Sequence, residues 1–146
     1  MIHLSQARSS IIFEHDGDSL AVLYWGKKLG AITEKSAEAI VSALTKPAFH
    51  GGLDVSSSNL ILREHSRGWI GHPALRGHRG GVGASNSFTV KSAVQKDQTM
   101  VAIFVDAIAG LEIEITYTLT PSRNLTNSLL ICCCWSPAVI TKECKE

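Results

Sequence analysis

Leu111-Glu112-Ile113-Glu114-Ile115-Thr116-Tyr117-Thr118-Leu119-Thr120 alternates an apolar residue with a polar one through ten positions. Period two over that length specifies a β-strand with one face buried and the other in water. The flanking sequence has the same character. Asp106 to Gly110 supplies a turn into the alternating stretch, and Met100 to Val105 is an apolar strand before it. Lys96-Asp97-Gln98 is a second turn, preceded by a strand from Ser87 to Gln95. Strands at short spacing joined by hairpin turns predict antiparallel pairing.

The N-terminal region repeats this grammar. His3 to Gln6 reads as a short opening strand, Ser9 to His15 as a β-rich run and Leu20 to Trp25 as a further strand. Asp16-Gly17-Asp18 lies between the last two, and Asp-Gly between hydrophobic runs is a strong hairpin signal. Gly26 to Gly30 is expected to break the pairing. Leu60 to Leu62 reads as another short strand.

Only Thr33 to Thr45 changes period. Ala37, Ile40, Val41 and Leu44 fall on one helical face, Thr33 can cap the start, and Pro47 ends the helix. The expected class is therefore all-β, an antiparallel β-sandwich with one short surface helix. After Pro121 the pattern decays: Leu129 to Trp135 reads as one more buried strand, and Ser136 to Glu146 has no period. The chain divides accordingly into a sandwich at 1–122 and an unassigned tail at 123–146.

Composition narrows the function. The chain has 146 residues, enough for one domain with a real core. It is 45% hydrophobic and 18% charged, as a globular protein is. A formal net charge of +1 gives no electrostatic case for nucleic acid or a membrane surface. No apolar run approaches the roughly 20 residues that span a bilayer. The start lacks a basic segment followed by an apolar run, so a cytoplasmic address is expected. Cys132, Cys133, Cys134 and Cys144 match neither a disulfide framework nor a zinc pattern.

The richest segment is the loop Arg67-Gly68-Trp69-Ile70-Gly71-His72-Pro73-Ala74-Leu75-Arg76-Gly77-His78-Arg79. It carries one of the three tryptophans, three arginines and two of the six histidines. An aromatic plate beside forked cationic donors suits a sugar, whose ring stacks while its hydroxyls are held. Burial of the tryptophan inside a well-ordered connector is the competing explanation. Gly80, Gly81 and Gly83 lead into a strand rather than a helix, so they do not form a phosphate cradle. No cofactor is expected.

Catalytic groups are not legible. Retaining sugar hydrolysis needs two carboxyl groups about 5 Å apart. Asp16 and Asp18 are better explained as turn formers, and Glu112 with Glu114 as one solvated strand face. Asp106 is isolated, and Asp54 is either a ligand-facing carboxylate or a loop cap. His50, His65, His72 and His78, with Glu64, have no recognised metal spacing, so no metal is expected. No nucleophile elbow appears, and no Ser, His and Asp group is legible as a triad.

Ser66 to Arg79 resembles the Gly-Trp-x-Gly-x-Pro-Gly-Leu-x-Gly-His-Arg loop of bacterial α-galactosidases of glycoside hydrolase family 36. Ile2-His3-Leu4, Ser10 to Phe13 and Leu23-Tyr24-Trp25-Gly26 are similar to the family's first hairpin. His50-Gly51-Gly52-Leu53-Asp54 is similar to its Gly-Leu-Asp segment, and Asp106 to Leu111 to its Asp-x-x-x-Gly-Leu strand entry. These pieces run in order from residue 2 to about residue 120.

The resemblance implies a galactose-mutarotase-like β-supersandwich, here partial, that precedes a catalytic (β/α)8 barrel absent from this chain. It implies removal of terminal α-galactose from raffinose-type oligosaccharides, with both catalytic aspartates in the barrel and hence none in this chain. Carried over, Asp54 matches a galactoside-contacting carboxylate and Trp69 a stacking residue, with Arg76 and His78 on the same loop. The galactoside is then the partner, in some members of the family across a subunit interface. Ala74 departs from the family's glycine. The family continues past Ser122 with an alternating strand, so the expectation is a truncated or frame-shifted chain whose last residues are foreign to the fold. Uncovered strand edges predict self-association. The alternatives are a stand-alone carbohydrate-binding module and a purely structural β-sandwich.

Overall fold

The computed structural model describes residues 1–44, 59–77, 85–120, 125–133 and 140–142. Its first sheet has three antiparallel strands in the order β1-β2-β3: β1 Ile2–Gln6, β2 Ser9–His15 and β3 Leu20–Lys27. Asp16 closes the β2–β3 hairpin, its Oδ1 accepting hydrogen bonds from the backbone N–H of Asp18 (3.2 Å) and Ser19 (2.7 Å). The pairing runs further than the sequence suggests, Ser9 facing Lys27. Gly26 therefore lies within the ladder instead of ending it.

The second sheet takes β4 Thr89–Lys96, β5 Thr99–Asp106, β6 Leu111–Leu119, β7 Leu125–Cys133 and β8 Ile140–Lys142, each antiparallel to the next. Past the division drawn at residue 122, β7 and β8 continue this sheet, with Ile113 opposite Ile131 and Ile131 opposite Ile140. Leu60 to Leu62 is no strand. Leu60 makes a single bridge to Ala21, because the segment touches β3 only through Val22 N–H to Asn59 O (2.9 Å) and Ile61 N–H to Leu20 O (3.0 Å).

The two sheets bury their facing sides together. Leu4, Ile11, Phe13 and Leu20 of the first meet Met100, Ala102, Phe104, Ile113, Ile115 and Leu119 of the second. The β6 pattern is the sequence alternation made physical, since Ile113, Ile115 and Leu119 are buried while the intervening residues are half-exposed. Strand β4 alternates less well for a definite reason. A bulge between Val90 and Ser92 shifts its register, so Ala93 follows Val90 into the core and Val94 is left 60% exposed.

Helix α1 spans Glu34–Leu44 and lies against β3. Of its predicted apolar face Ala37 is buried, Ile40 and Val41 are half-buried and Leu44 is exposed, so contact weakens towards the C-terminal end. Its start is well made: Thr33 Oγ1 accepts from Ser36 N–H (3.3 Å), and Ser36 Oγ accepts from Thr33 N–H (2.8 Å). Thr33→Ala removes one half of this exchange and should cost about 1 kcal/mol. In a thermal melt that is a fall of roughly 3 °C in Tm; an unchanged Tm would mean that the helix contributes nothing to cooperative stability. Among the described residues no helix is long and apolar enough to cross a membrane.

Candidate functional site

The Trp69 loop is fastened to the sandwich by one carboxylate. Glu64 is 5% exposed; its Oε1 accepts from Phe88 N–H (2.8 Å) and its Oε2 from Arg67 Nε (3.3 Å). Arg67 Nη2 donates onward to the carbonyls of Phe88 (2.8 Å) and Asp18 (3.2 Å), tying the loop to both sheets. Burial pushes the Glu64 carboxyl above the ordinary glutamate range. The Phe88 N–H and Arg67 oppose that rise, and Asp106 adds to it.

Asp106 is the companion anchor. It is 3% exposed; Oδ2 accepts from Ser87 N–H (2.8 Å), and Oδ1 from Ile108 N–H (3.0 Å) and Ala109 N–H (2.9 Å). Two buried carboxylates thus take the consecutive backbone N–H groups of Ser87 and Phe88. All four of their oxygens already accept hydrogen bonds, which is the arrangement of a strand entry held in place.

The loop itself begins with a 3₁₀ turn, His65–Arg67, closed by Gly68 at φ 78°, where a side chain would be strained. Trp69 N–H returns to the Glu64 carbonyl (3.1 Å), Ala74 N–H to the Arg63 carbonyl (2.8 Å), and His65 Nδ1 bonds the Trp69 carbonyl (2.7 Å). The indole has partners of its own. Trp69 Nε1 donates to the His72 carbonyl (3.0 Å), and the Arg63 guanidinium lies 4.6 Å from its ring centroid. Gly71 packs against the ring edge so closely that an added Cβ would stand 2.9 Å from Trp69 Nε1.

Of the residues singled out from the sequence, Trp69 and Arg76 are described. Trp69 is half-buried and Arg76 is exposed. Asp54 and His78 lie outside the described residues, as does His50. Among the described residues no group of three or more His, Cys, Asp or Glu side chains is placed to hold a metal ion. His65 is instead spent on the Trp69 carbonyl, and Glu64 on Phe88 and Arg67.

Sequence reasoning gave Arg63 no part and did not find the anchoring roles of Glu64, Arg67 and Asp106. Glu64 reaches across 24 residues to Phe88, and Asp106 across 19 to Ser87, separations that leave no local pattern. Arg63 offered a weak signal, as a guanidinium six residues before a tryptophan in a glycine-rich loop.

An antiparallel sandwich whose strand entry is pinned by buried carboxylates, with a Trp/Arg loop ordered beside it, defines the class as an all-β sandwich domain. Residues 18–129 match the Glycosyl hydrolase family 36 N-terminal domain, and the chain belongs to that family. It is 27% identical over 122 residues to an alpha-galactosidase of Escherichia coli, covering 84% of this chain and 16% of that protein. Its fold is similar to that of a GH36 alpha-galactosidase of Geobacillus stearothermophilus solved in complex with 1-deoxygalactonojirimycin, with a TM-score of 0.65 and 18% identity. That superposition covers 89% of this chain and 21% of the other. The chain spans about a sixth of the length of its Escherichia coli relative.

Proposed function

We propose that this chain is the sugar-contacting N-terminal sandwich of an α-galactosidase acting on terminal α-D-galactosyl residues, as in raffinose-type oligosaccharides. The observation that carries the reading is the Trp69 loop of a family 36 N-terminal domain, with its indole held rigid by Arg63, Gly71 and the His72 carbonyl. A rigid aromatic costs little entropy when a pyranose stacks on it. Asp54, Arg76 and His78 belong to the same proposal as galactoside contacts, Asp54 by its match to the family's Gly-Leu-Asp segment. So do self-association and a cytoplasmic address. Hydrolysis falls to carboxylates of a barrel domain, and the 146-residue chain is inactive alone.

The test is nitrophenol release from an α-galactoside by the 146-residue chain, with calorimetric titration of galactose beside it. We expect no turnover, and weak saturable binding that Trp69→Ala weakens at least about tenfold, the equivalent of roughly 1.4 kcal/mol. Turnover by the chain would refute the assignment of catalysis to a barrel.

A purely structural role for the loop is the second reading, and one observation favours it. Arg63 already covers one face of the Trp69 ring and the indole N–H is already bonded inside the loop. On that reading Trp69→Ala lowers Tm and changes no ligand behaviour.

A further inference from the structure

Trp25 is 61% exposed, and its position is produced by a register shift. Phe13 pairs with Val22 but Ile12 pairs with Tyr24, so Leu23 is an extra residue in β3. Without it Trp25 would point to the outer side of the first sheet. With it, Trp25 faces the same side as its partner Ile11 and as Val22, towards the second sheet. Tyr24 takes the outer side instead, its hydroxyl donating to the Lys27 carbonyl (2.8 Å). Bulges of this kind re-aim single side chains and are enriched beside functional sites.

The re-aimed indole forms one wall of an open depression of about 530 Å³, with Ile61, Arg63, His72 and Tyr117 among the other walls. That size lies within the roughly 300–1,000 Å³ of small-molecule sites. The walls are preorganised. The 59–61 segment is bonded to β3, the Ala74 N–H holds the Arg63 carbonyl, and Tyr117 is packed 5.3 Å from Phe13. Among the described residues lining it there is a guanidinium and an imidazole but no carboxylate. An aromatic plate beside donors, with no acid, fits a ligand that has an apolar ring face and many acceptor oxygens. That description is a pyranose.

We infer that the depression between Trp25, Arg63 and His72 is a second saccharide-binding site, distinct from the Trp69 ring and meeting it through Arg63, which lies over that ring, and through His72, whose carbonyl accepts the Trp69 indole N–H. The choice of a galactoside as its ligand rests on the function proposed above. The site itself rests on the re-aimed Trp25.

The experiment is an NMR titration of the ¹⁵N-labelled chain with raffinose. Tryptophans at 25, 69 and 135 give three indole N–H signals, assigned with Trp25→Ala and Trp69→Ala. The expected result is a saturable shift of the Trp25 signal that persists in Trp69→Ala, with affinity at least about tenfold weaker in Trp25→Ala. Because Trp25 is mostly exposed, that variant should melt within a few degrees of the parent. Movement confined to the Trp69 signal overturns the second site and leaves the proposed function standing. Movement of neither signal overturns both.

Discussion

Asp106→Ala is expected to lower the free energy of unfolding by about 2 kcal/mol, since it strips a partner from three backbone N–H groups at once. Ser87, Ile108 and Ala109 all donate to this carboxylate, and it is buried. An unsatisfied buried donor costs about 1–3 kcal/mol, but the three bonds are part-buried and Ile108 is 96% exposed, so water replaces part of what each N–H loses. The turn at Ala107–Gly110 would also lose the acceptor that shapes it, loosening the entry to β6. Asp106→Asn keeps one carbonyl oxygen but points an amide N–H₂ at a donor, so it should recover less than half of the loss. Urea unfolding of the three proteins decides the matter through shifts in midpoint at constant slope. A loss below about 1 kcal/mol in the alanine variant would show that the turn forms without the carboxylate.

Phe13→Ala should cost about 3–5 kcal/mol, the usual range for removing a phenyl ring from a packed core. Phe13 has no exposed surface, pairs across β3 with Val22, and packs its ring 5.3 Å from Tyr117 of the opposite sheet at a 51° tilt. The cavity lies between two sheets joined by antiparallel ladders, so neither can collapse onto it without shifting a register. Against a total stability of about 5–15 kcal/mol for ordinary domains, the variant should lose cooperative melting at modest temperature. Phe13→Leu retains most of the volume and should cost about 1.5 kcal/mol or less. Near-equal melting of the alanine and leucine variants would argue that the sheets are not packed through Phe13.

The architecture was legible wherever a pattern is short-range. Leu111 to Leu119 alternates because one face packs on the first sheet, as Tyr117 does on Phe13, while the other is partly open to solvent, and a period of two records that directly. Asp16-Gly17 marked the β2–β3 hairpin because the Asp16 side chain bonds residues two and three positions on. The helix start was equally local, an exchange between Thr33 and Ser36.

What joins distant residues was not legible. Glu64 and Asp106 looked like unrelated carboxylates, yet folding sets them on neighbouring N–H groups of Ser87 and Phe88. The sequence proposed Trp69 as a stacking residue, but it could not show that Arg63 would lie on the ring or that Gly71 would press its edge.

The sequence by itself determined the strand periods, the turns, the capped helix and the family loop, because each depends on contacts within a few residues. The tertiary structure alone decided which side of the sheet Trp25 faces and which carboxylates are buried. The first is set by register, where one extra residue at Leu23 reverses every side chain beyond it in β3, and the second by the reach of Glu64 and Asp106 to Phe88 and Ser87, far off in the chain. Register is the sum of many weak contacts between strands far apart in the chain, so no short window of sequence contains it.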